Sequence, residues 1–238
     1  TQTVTITSSD SESSNYPQTW ANSAAWEQEL LSLVNEARTD LGLNTLVAIE
    51  DVSAMARKHS RDMAVNGYFD HTSPLYGTAE QRMAAAGMAS CLENIAHGYL
   101  SATDTFNALM ASPGHRDNIL NPNGVFFGAG AYALPQTAEA AVADVFCTMD
   151  IVTGDSFFIA TRNQTVTDAT LQVKGYTVNA DAKATVFLLK SGNDNVYTEK
   201  LTVPMKVEGN GFTGEITFWQ NGKYIINIGD DNLVVTKK

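Results

Sequence analysis

Cysteine is scarce. The 238 residues contain two, Cys91 and Cys147, which excludes a disulfide-stapled scaffold and leaves at most one internal bridge. Long apolar runs are missing too. Nothing approaches the ~18 consecutive apolar residues that a membrane-spanning helix needs. The opening residues, TQTVTITSSDSESSNYPQ, lack a signal-peptide pattern and read as a polar tail (1–23) rich in Ser and Thr, as expected of a mature secreted chain. Basic charge is short in the first part. Residues 1–155 hold 6 Lys/Arg against 18 Asp/Glu (6 − 18 = −12), whereas residues 156–238 hold 9 against 8 (+1). An acidic first part argues against nucleic acid and against an anionic membrane surface, both of which need a basic patch. The change of balance marks a boundary near residue 155. Hydrophobic content of 44% with 17% charged residues is enough for a packed core and too few charges for a disordered chain. No internal repeat is visible.

Helix periodicity comes first along the chain. Trp26, Leu30, Leu33, Val34, Ala37 and Leu41 recur at spacings of three and four, predicting a helix from Ala24 to Leu41 that Gly42 stops and Ser23 caps. A second helix is expected over Asp51–Asn66, ended by Gly67. A third is expected over Thr78–Ala86, with Thr78 as its cap and Gly87 as its stop. A fourth runs over Ser101–Met110, and a fifth opens at Ser112-Pro113, a favourable cap and first turn. From Gly124 the pattern turns to strand-length apolar runs, GVFFGAGAYAL and AVADVFCTMDIV, joined by PQTAE as a hairpin with a longer loop. After Thr153-Gly154-Asp155, seven short strand-like runs follow: SFFIAT, TLQVKGYTV, ATVFLLK, VYTEKLTV, FTGEITFW, KYIINIG and NLVVTK. They predict an all-β sandwich over 156–238. The immunoglobulin-like topology is the candidate, although the Cys…Trp…Cys pattern of antibody domains is absent.

Histidine is also rare: His59, His71, His97 and His115. His71 lies in GYFDHTSP, a helix exit running into a Pro-containing loop. His115 lies in SPGHRDNIL, in a helix first turn. Between them, CLENIAHG carries Glu93. Polar residues on loops and helix starts are better placed for a site than those on a packed face. His59 falls on the apolar face of the second helix and reads as structural. His97, four residues after Glu93, returns to the same face and extends the polar cluster or stands exposed beside Gly98.

These segments, GYFDHTSP, ENIAHG and SPGHRDNIL in this order, together with NEAR (Asn35–Arg38) and the strand FFGAGAY, resemble the core motifs of bacterial members of the CAP superfamily: cysteine-rich secretory proteins, antigen 5 and pathogenesis-related 1 proteins. The resemblance covers about residues 24–152, within a domain of 24–153. It implies an α/β fold, a three-layer α-β-α sandwich, with a cleft lined in many members by two histidines and two acids. His71 matches the first histidine, Glu93 the first acid and His115 the second histidine. Where the second acid is expected, the stretch LMAS places Ser112. Asn118 and Arg116 match the family's GHR-x-N pattern, with Arg116 either pairing with an acid such as Glu93 or Asp117 or standing on the surface without a partner. The resemblance also brings Cys91 and Cys147 near the central sheet and makes a disulfide between them the expectation.

The candidate binding site is therefore His71, Glu93, Ser112, His115, Asn118 and His97. Two imidazoles and a carboxylate are a plausible ligand set for a divalent metal such as zinc, with His71, His115 and Glu93 leaving one position open; the other reading is a hydrogen-bonded network. The same three are the candidate catalytic residues of a hydrolase, with Ser112 or Ser73 as nucleophile, although no GxSxG elbow is present. Tyr68, Phe69, Tyr99, Phe106, Phe126 and Phe127 flank the motifs and either line an apolar groove or pack a core. The expectation is a secreted or cell-surface protein binding a small molecule, lipid, peptide or cell-wall ligand in its cleft. A hydrolase and a structural protein with a vestigial cleft are the alternatives.

Overall fold

A computed structural model of the chain describes residues 24–88, 90–134 and 144–238. The polar tail at 1–23, the Ser23 cap and the PQTAE loop lie outside these.

Five helices come first: α1 (Ala24–Asp40), α2 (Glu50–Asn66), α3 (Ala79–Ala85), α4 (Ala102–Ala111) and α5 (Pro113–Ile119). Their ends follow the predicted signals. Gly67 ends α2 in the left-handed conformation at φ 69°, which a side chain resists. Thr78 and Gln81 form a capping box at the start of α3. Ser101 caps α4 by accepting from the Asp104 N–H. Ser112 departs from expectation: it stands at the cap position of α5 in extended conformation, but its side chain makes no cap bond.

Between the helices run β1 (Val47–Ala48), β2 (Cys91–His97), β3 (Gly124–Ala133) and β4 (Val145–Thr153), in the sheet order β1-β3-β4-β2. β1 pairs with β3 in parallel, and the other two pairings are antiparallel. The sheet is the middle of three layers. On one face Phe127, Ala129, Ala131, Cys147, Met149 and Ile151 pack against Trp26, Leu30 and Val34 of α1, Leu109 of α4 and Ile119 of α5. Full burial of side chains such as Leu30 and Val34 stabilises by about 1.5–3 kcal/mol each. The other face is covered by α2 and α3. The alternation in FFGAGAY explains how α2 gets so close: Gly128 and Gly130 point at it. A Cβ on Gly128 would lie 2.3 Å from the backbone of Val52 and Ser53, and one on Gly130 would lie 2.5 Å from the Arg57 backbone. Ser60 then donates across the same contact to the Gly130 carbonyl at 2.7 Å.

The NEAR motif is structural. Asn35 exchanges two hydrogen bonds with the Leu46 backbone. Arg38 is fully buried and donates to the carbonyls of Asn44, Ile119, Asn121 and Gly124, tying the end of α1 to the approach to β3.

Nine strands follow: β5 (Ser156–Phe158), β6 (Asn163–Val166), β7 (Thr170–Thr177), β8 (Lys183–Lys190), β9 (Asn193–Pro204), β10 (Lys206–Glu208), β11 (Gly211–Thr217), β12 (Gly222–Ile228) and β13 (Asp231–Lys237). The seven expected runs are all there. The additions, β6 and β10, are too short and too polar to show in a hydrophobic pattern. The strands form two sheets, β10-β11-β7-β5 and β6-β13-β12-β8-β9. Inward side chains of both, including Phe158, Val173, Phe212, Val186, Tyr224 and Ile226, share one core.

The two parts of the chain meet in a further cluster, where Phe157 joins Val52, Met83, Met88, Phe126 and Val152. Polar contacts fasten the same junction. Tyr176 donates to Asp51 Oδ2 at 2.8 Å, and the Ala160 N–H to the Gly87 carbonyl at 2.8 Å.

Candidate functional site

β2 is an edge strand, and its alternation splits its side chains between the two faces. Leu92 and Ala96 join the α1 side, while Cys91 and Ile95 join the α2–α3 side. Glu93 therefore points toward α2 and α3. Its carboxylate is almost entirely buried, at 4% exposure. Oε2 is ion-paired with the Arg82 guanidinium, and Oε1 meets His71 Nδ1 at 2.9 Å. A carboxylate oxygen only accepts, so His71 carries a proton on Nδ1, and in the neutral tautomer that this leaves, Nε2 is an acceptor. The His71 side chain is 52% exposed, in contrast to its buried partner.

The loop bearing His71 is clamped from behind. Arg82 Nη1 donates to the carbonyls of His71 and Gly77, both at 2.8 Å. His59 Nε2 bonds the carbonyl of Asp70 at 3.1 Å, and the same nitrogen lies 4.0 Å from Glu93 Oε1. Two successive carbonyls, Asp70 and His71, are thus held by two side chains that also face Glu93. Burial holds the His59 imidazole below its ordinary pKa. The structural reading of His59 agrees with its 1% exposure; its contact with the site was not legible in its apolar face.

His115 approaches from α5. It is half-buried, and its pKa lies below the usual imidazole value, first through burial and second through the neighbouring His71. Its backbone is fixed to β2: Asn94 Nδ2 donates to the His115 carbonyl at 3.0 Å. Asn118 Nδ2 in turn donates to Asn94 Oδ1 at 2.8 Å and to the Glu93 carbonyl at 3.3 Å. Asn118 thus braces α5 on β2. His71, Glu93 and His115 are brought together at the open edge of the sheet.

Other expected members stand elsewhere. His97 shares the face of Glu93 but lies about 13 Å along the strand at ~3.3 Å per residue. It pairs with Asp144 and packs on Phe69 and Phe146, with ring centroids 5.6 and 4.2 Å away. Arg116 donates to the Met110 carbonyl at 3.2 Å, and the guanidinium on Glu93 is that of Arg82. Ser73 is not a free nucleophile. It is buried, donates to Asp62 Oδ2 at 2.6 Å and accepts from the N–H groups of Leu75 and Tyr76. Phe126 and Phe127 are fully buried core and Phe106 packs against that core, whereas Phe69 and Tyr99 are exposed.

The expected disulfide is absent: both cysteines are free. In the β2–β4 ladder Cys91 faces Val152, and Cys147 faces Ala96. The offset of five residues puts the thiols on opposite faces and about 17 Å apart along the strands, at ~3.3 Å per residue. The zinc set does not fit either. Both Glu93 oxygens are engaged, one by a guanidinium whose charge opposes a cation. No group of three or more His, Cys, Asp or Glu side chains among the described residues is placed to hold a metal ion.

Three contributors were not foreseen. Arg82 and His59 gave no sequence signal for a site. Asp150 did: a carboxyl in the middle of the apolar run VFCTMDIV is unusual. It lies directly across the ladder from Glu93, is buried, and accepts from the Cys91 thiol at 3.2 Å. Burial, and then Glu93, push its pKa up to about 8.

Residues 31–150, half of the chain, match the model of the cysteine-rich secretory protein family. The chain is 40% identical over 109 residues to the uncharacterized protein YkwD of Bacillus subtilis, covering 45% of this chain and 42% of that one. It is 32% identical over 106 residues to the uncharacterized membrane protein YlbC of the same organism, covering 44% and 31%. The match thus spans less than half the length of either curated relative. Among solved structures, an extracellular SCP-domain protein of Bacillus anthracis aligns with TM-score 0.46 and 27% identity, over 53% of this chain and 40% of that one. By the match to its model, which takes in β2, α5 and the residues around Glu93, the chain belongs to the cysteine-rich secretory protein (CAP) family.

Proposed function

We propose that the chain is a secreted or cell-surface binding protein of two domains. Residues 24–153 form the CAP domain that takes a small molecule, lipid, peptide or cell-wall fragment at the His71–Glu93–His115 edge, and residues 156–238 form a β-sandwich. The observation that carries this reading is the fixed His71–Glu93 dyad. Glu93 is locked between Arg82 and His71 Nδ1, so it orients the ring rather than reaching for a ligand. The half-exposed His71 ring and the neighbouring His115 then present acceptors to a ligand's hydroxyl, amide or ammonium groups. The secretory description of the family supports an extracellular location.

The same dyad favours hydrolysis as the second reading, because a carboxylate-oriented imidazole is a general base. The use of Ser73 by Asp62 and by two backbone N–H groups weighs against a serine nucleophile there.

For the sandwich, the immunoglobulin-like topology is supported by strand order. Naming β5, β7, β8, β9, β10, β11, β12 and β13 as A, B, C, C′, D, E, F and G gives sheets A-B-E-D and G-F-C-C′, with β6 paired in parallel to G. Tyr224, near the start of β12, donates its hydroxyl back to the Gln220 carbonyl at 2.8 Å, the contact of a tyrosine corner.

The test follows the His71 and His115 ring resonances while peptides, fatty acids and cell-wall glycan fragments are added, with product analysis in parallel. A binding module shows saturable shifts without turnover, and His71→Ala with His115→Ala loses the affinity for the same ligand, measured by calorimetry. Turnover that the same variant abolishes moves the assignment to the hydrolase. Neither shifts nor turnover with any ligand class sinks both.

A further inference from the structure

Four observations at the domain junction converge on the dyad. First, two helices clamp its loop: α2 through His59 on the Asp70 carbonyl, and α3 through Arg82 on the His71 carbonyl and on Glu93. Second, the sandwich holds the far end of α3. The Gly87 carbonyl, two residues past that helix, accepts from the Ala160 N–H at 2.8 Å and from Arg162 Nη2 at 3.4 Å. Arg162 is itself anchored within the sandwich by Asp231 at 2.6 Å and by the Phe158 carbonyl at 3.1 Å. Third, the sandwich holds the first turn of α2, where Tyr176 donates to Asp51 at 2.8 Å. Fourth, Met83, next to Arg82 in α3, is packed with Met88 against Phe157, and Phe157 lies tilted against Tyr176 and edge-on against Phe126.

The fit at Gly87 is tight. It sits at φ +73°, and a Cβ there would come within 2.9 Å of the Ala160 nitrogen and 3.1 Å of its carbonyl carbon. Glycine is needed for the backbone conformation and for the close approach of the two domains alike. α3 is only seven residues long. A helix of that length has little stability of its own, so tertiary packing fixes its position.

We infer that the β-sandwich is the positioning element of the His71–Glu93 dyad: it grips α2 and α3, the two helices whose side chains hold consecutive carbonyls of the His71 loop. Arg162 and Tyr176 are its positioning residues, and Gly87 is the point at which it holds the end of α3. A domain hung on a free linker would act as a spacer; this one forms one wall of the packing that sets where Arg82 stands. The inference rests on the dyad reading above, and its test separates the two.

The full chain is labelled with 15N-histidine, and the ring tautomer of His71, assigned by its loss in His71→Gln, is read by long-range 1H–15N correlation at a pH where imidazole is neutral. Gly87→Ala, Arg162→Gln and Tyr176→Phe are compared with Ile226→Val, a core substitution of the sandwich away from the junction. The wild type is expected to show His71 protonated at Nδ1. Gly87→Ala and Arg162→Gln are expected to lose part of that population to the Nε2–H form, Tyr176→Phe less, and Ile226→Val none. Folded junction variants that keep the wild-type tautomer overturn the inference, as does an equal change in Ile226→Val. Should Gly87→Ala not fold, Arg162→Gln and Tyr176→Phe decide. A wild type without the Nδ1–H form overturns the dyad itself, and this inference with it.

Discussion

Removing Arg82 tests the centre of the site most directly. Its guanidinium is 4% exposed, as is its partner Glu93, and it also serves the carbonyls of His71 and Gly77. Arg82→Met keeps much of the side-chain volume but strands a buried carboxylate and deprives two carbonyls of a donor. Breaking a buried pair by deleting one partner costs about 3–5 kcal/mol. The carbonyl bonds overlap with that figure, because the same group makes all of them. Glu93→Gln leaves the guanidinium with its two carbonyls and costs less, about 1–3 kcal/mol. The double variant removes the stranded charge, so the two losses are not additive: a coupling of roughly 2 kcal/mol is expected, within the range for residues in direct contact. Urea unfolding of the four proteins, followed by tryptophan fluorescence and far-UV circular dichroism, measures it. A loss below ~1 kcal/mol in Arg82→Met, or additive losses in the double variant, would mean that solvent rather than Arg82 satisfies Glu93; the locked dyad would then be wrong.

Gly130→Ala places a methyl group 2.5 Å from the Arg57 backbone. It is expected to lower stability by about 3 kcal/mol, at the upper end for overpacking. Gly114→Ala, in α5 with nothing within 4 Å, is expected to be neutral or to gain ~0.5–1 kcal/mol; thermal melts compare the two. For Asp150, burial raises the folded-state pKa to about 8, from ~3.9 unfolded. The folded state therefore binds the extra proton between those values, and the stability this supplies is complete below ~4 and is lost as pH rises through 8. Asp150→Asn is expected to gain on the wild type over that window, by at most ~1.4 kcal/mol per pH unit; a stability difference independent of pH from 4 to 8 refutes the buried acid. Because the thiols are unpaired, reductant is expected to leave the melting temperature unchanged, and both cysteines should react with an aromatic disulfide only after unfolding, since burial raises both thiol pKa values. A reductant-sensitive melt would restore the bridge.

Local chemistry accounts for what could be read along the chain. Helix bounds were legible because Thr78, Ser101, Gly67 and Gly87 act within one turn of their own position. The strands GVFFGAGAYAL and TLQVKGYTV were legible because alternation is a property of neighbouring residues. His71, Glu93 and His115 stood out because each sat in an unusual local setting, and the resemblance tied them together. β2 was not read as a strand, since LEN and AH interrupt its apolar pattern where it forms the sheet edge. The absence of a disulfide is hidden from the sequence for a related reason. Two cysteines on adjacent strands can lie near in the fold, but whether they meet depends on register, and a five-residue offset sends them to opposite faces.

Sequence by itself determined the class of fold, the change of character near residue 155 and the identity of the three polar residues at the sheet edge. Tertiary structure alone decided what holds each of them in place. Arg82 reaches Glu93 only because α3 lies over β2, and α3 lies there because Gly87 and Met83 are packed against residues more than 70 positions further on. Such contacts leave no periodic trace, since the two sides of each pair are brought together by packing and not by spacing along the chain.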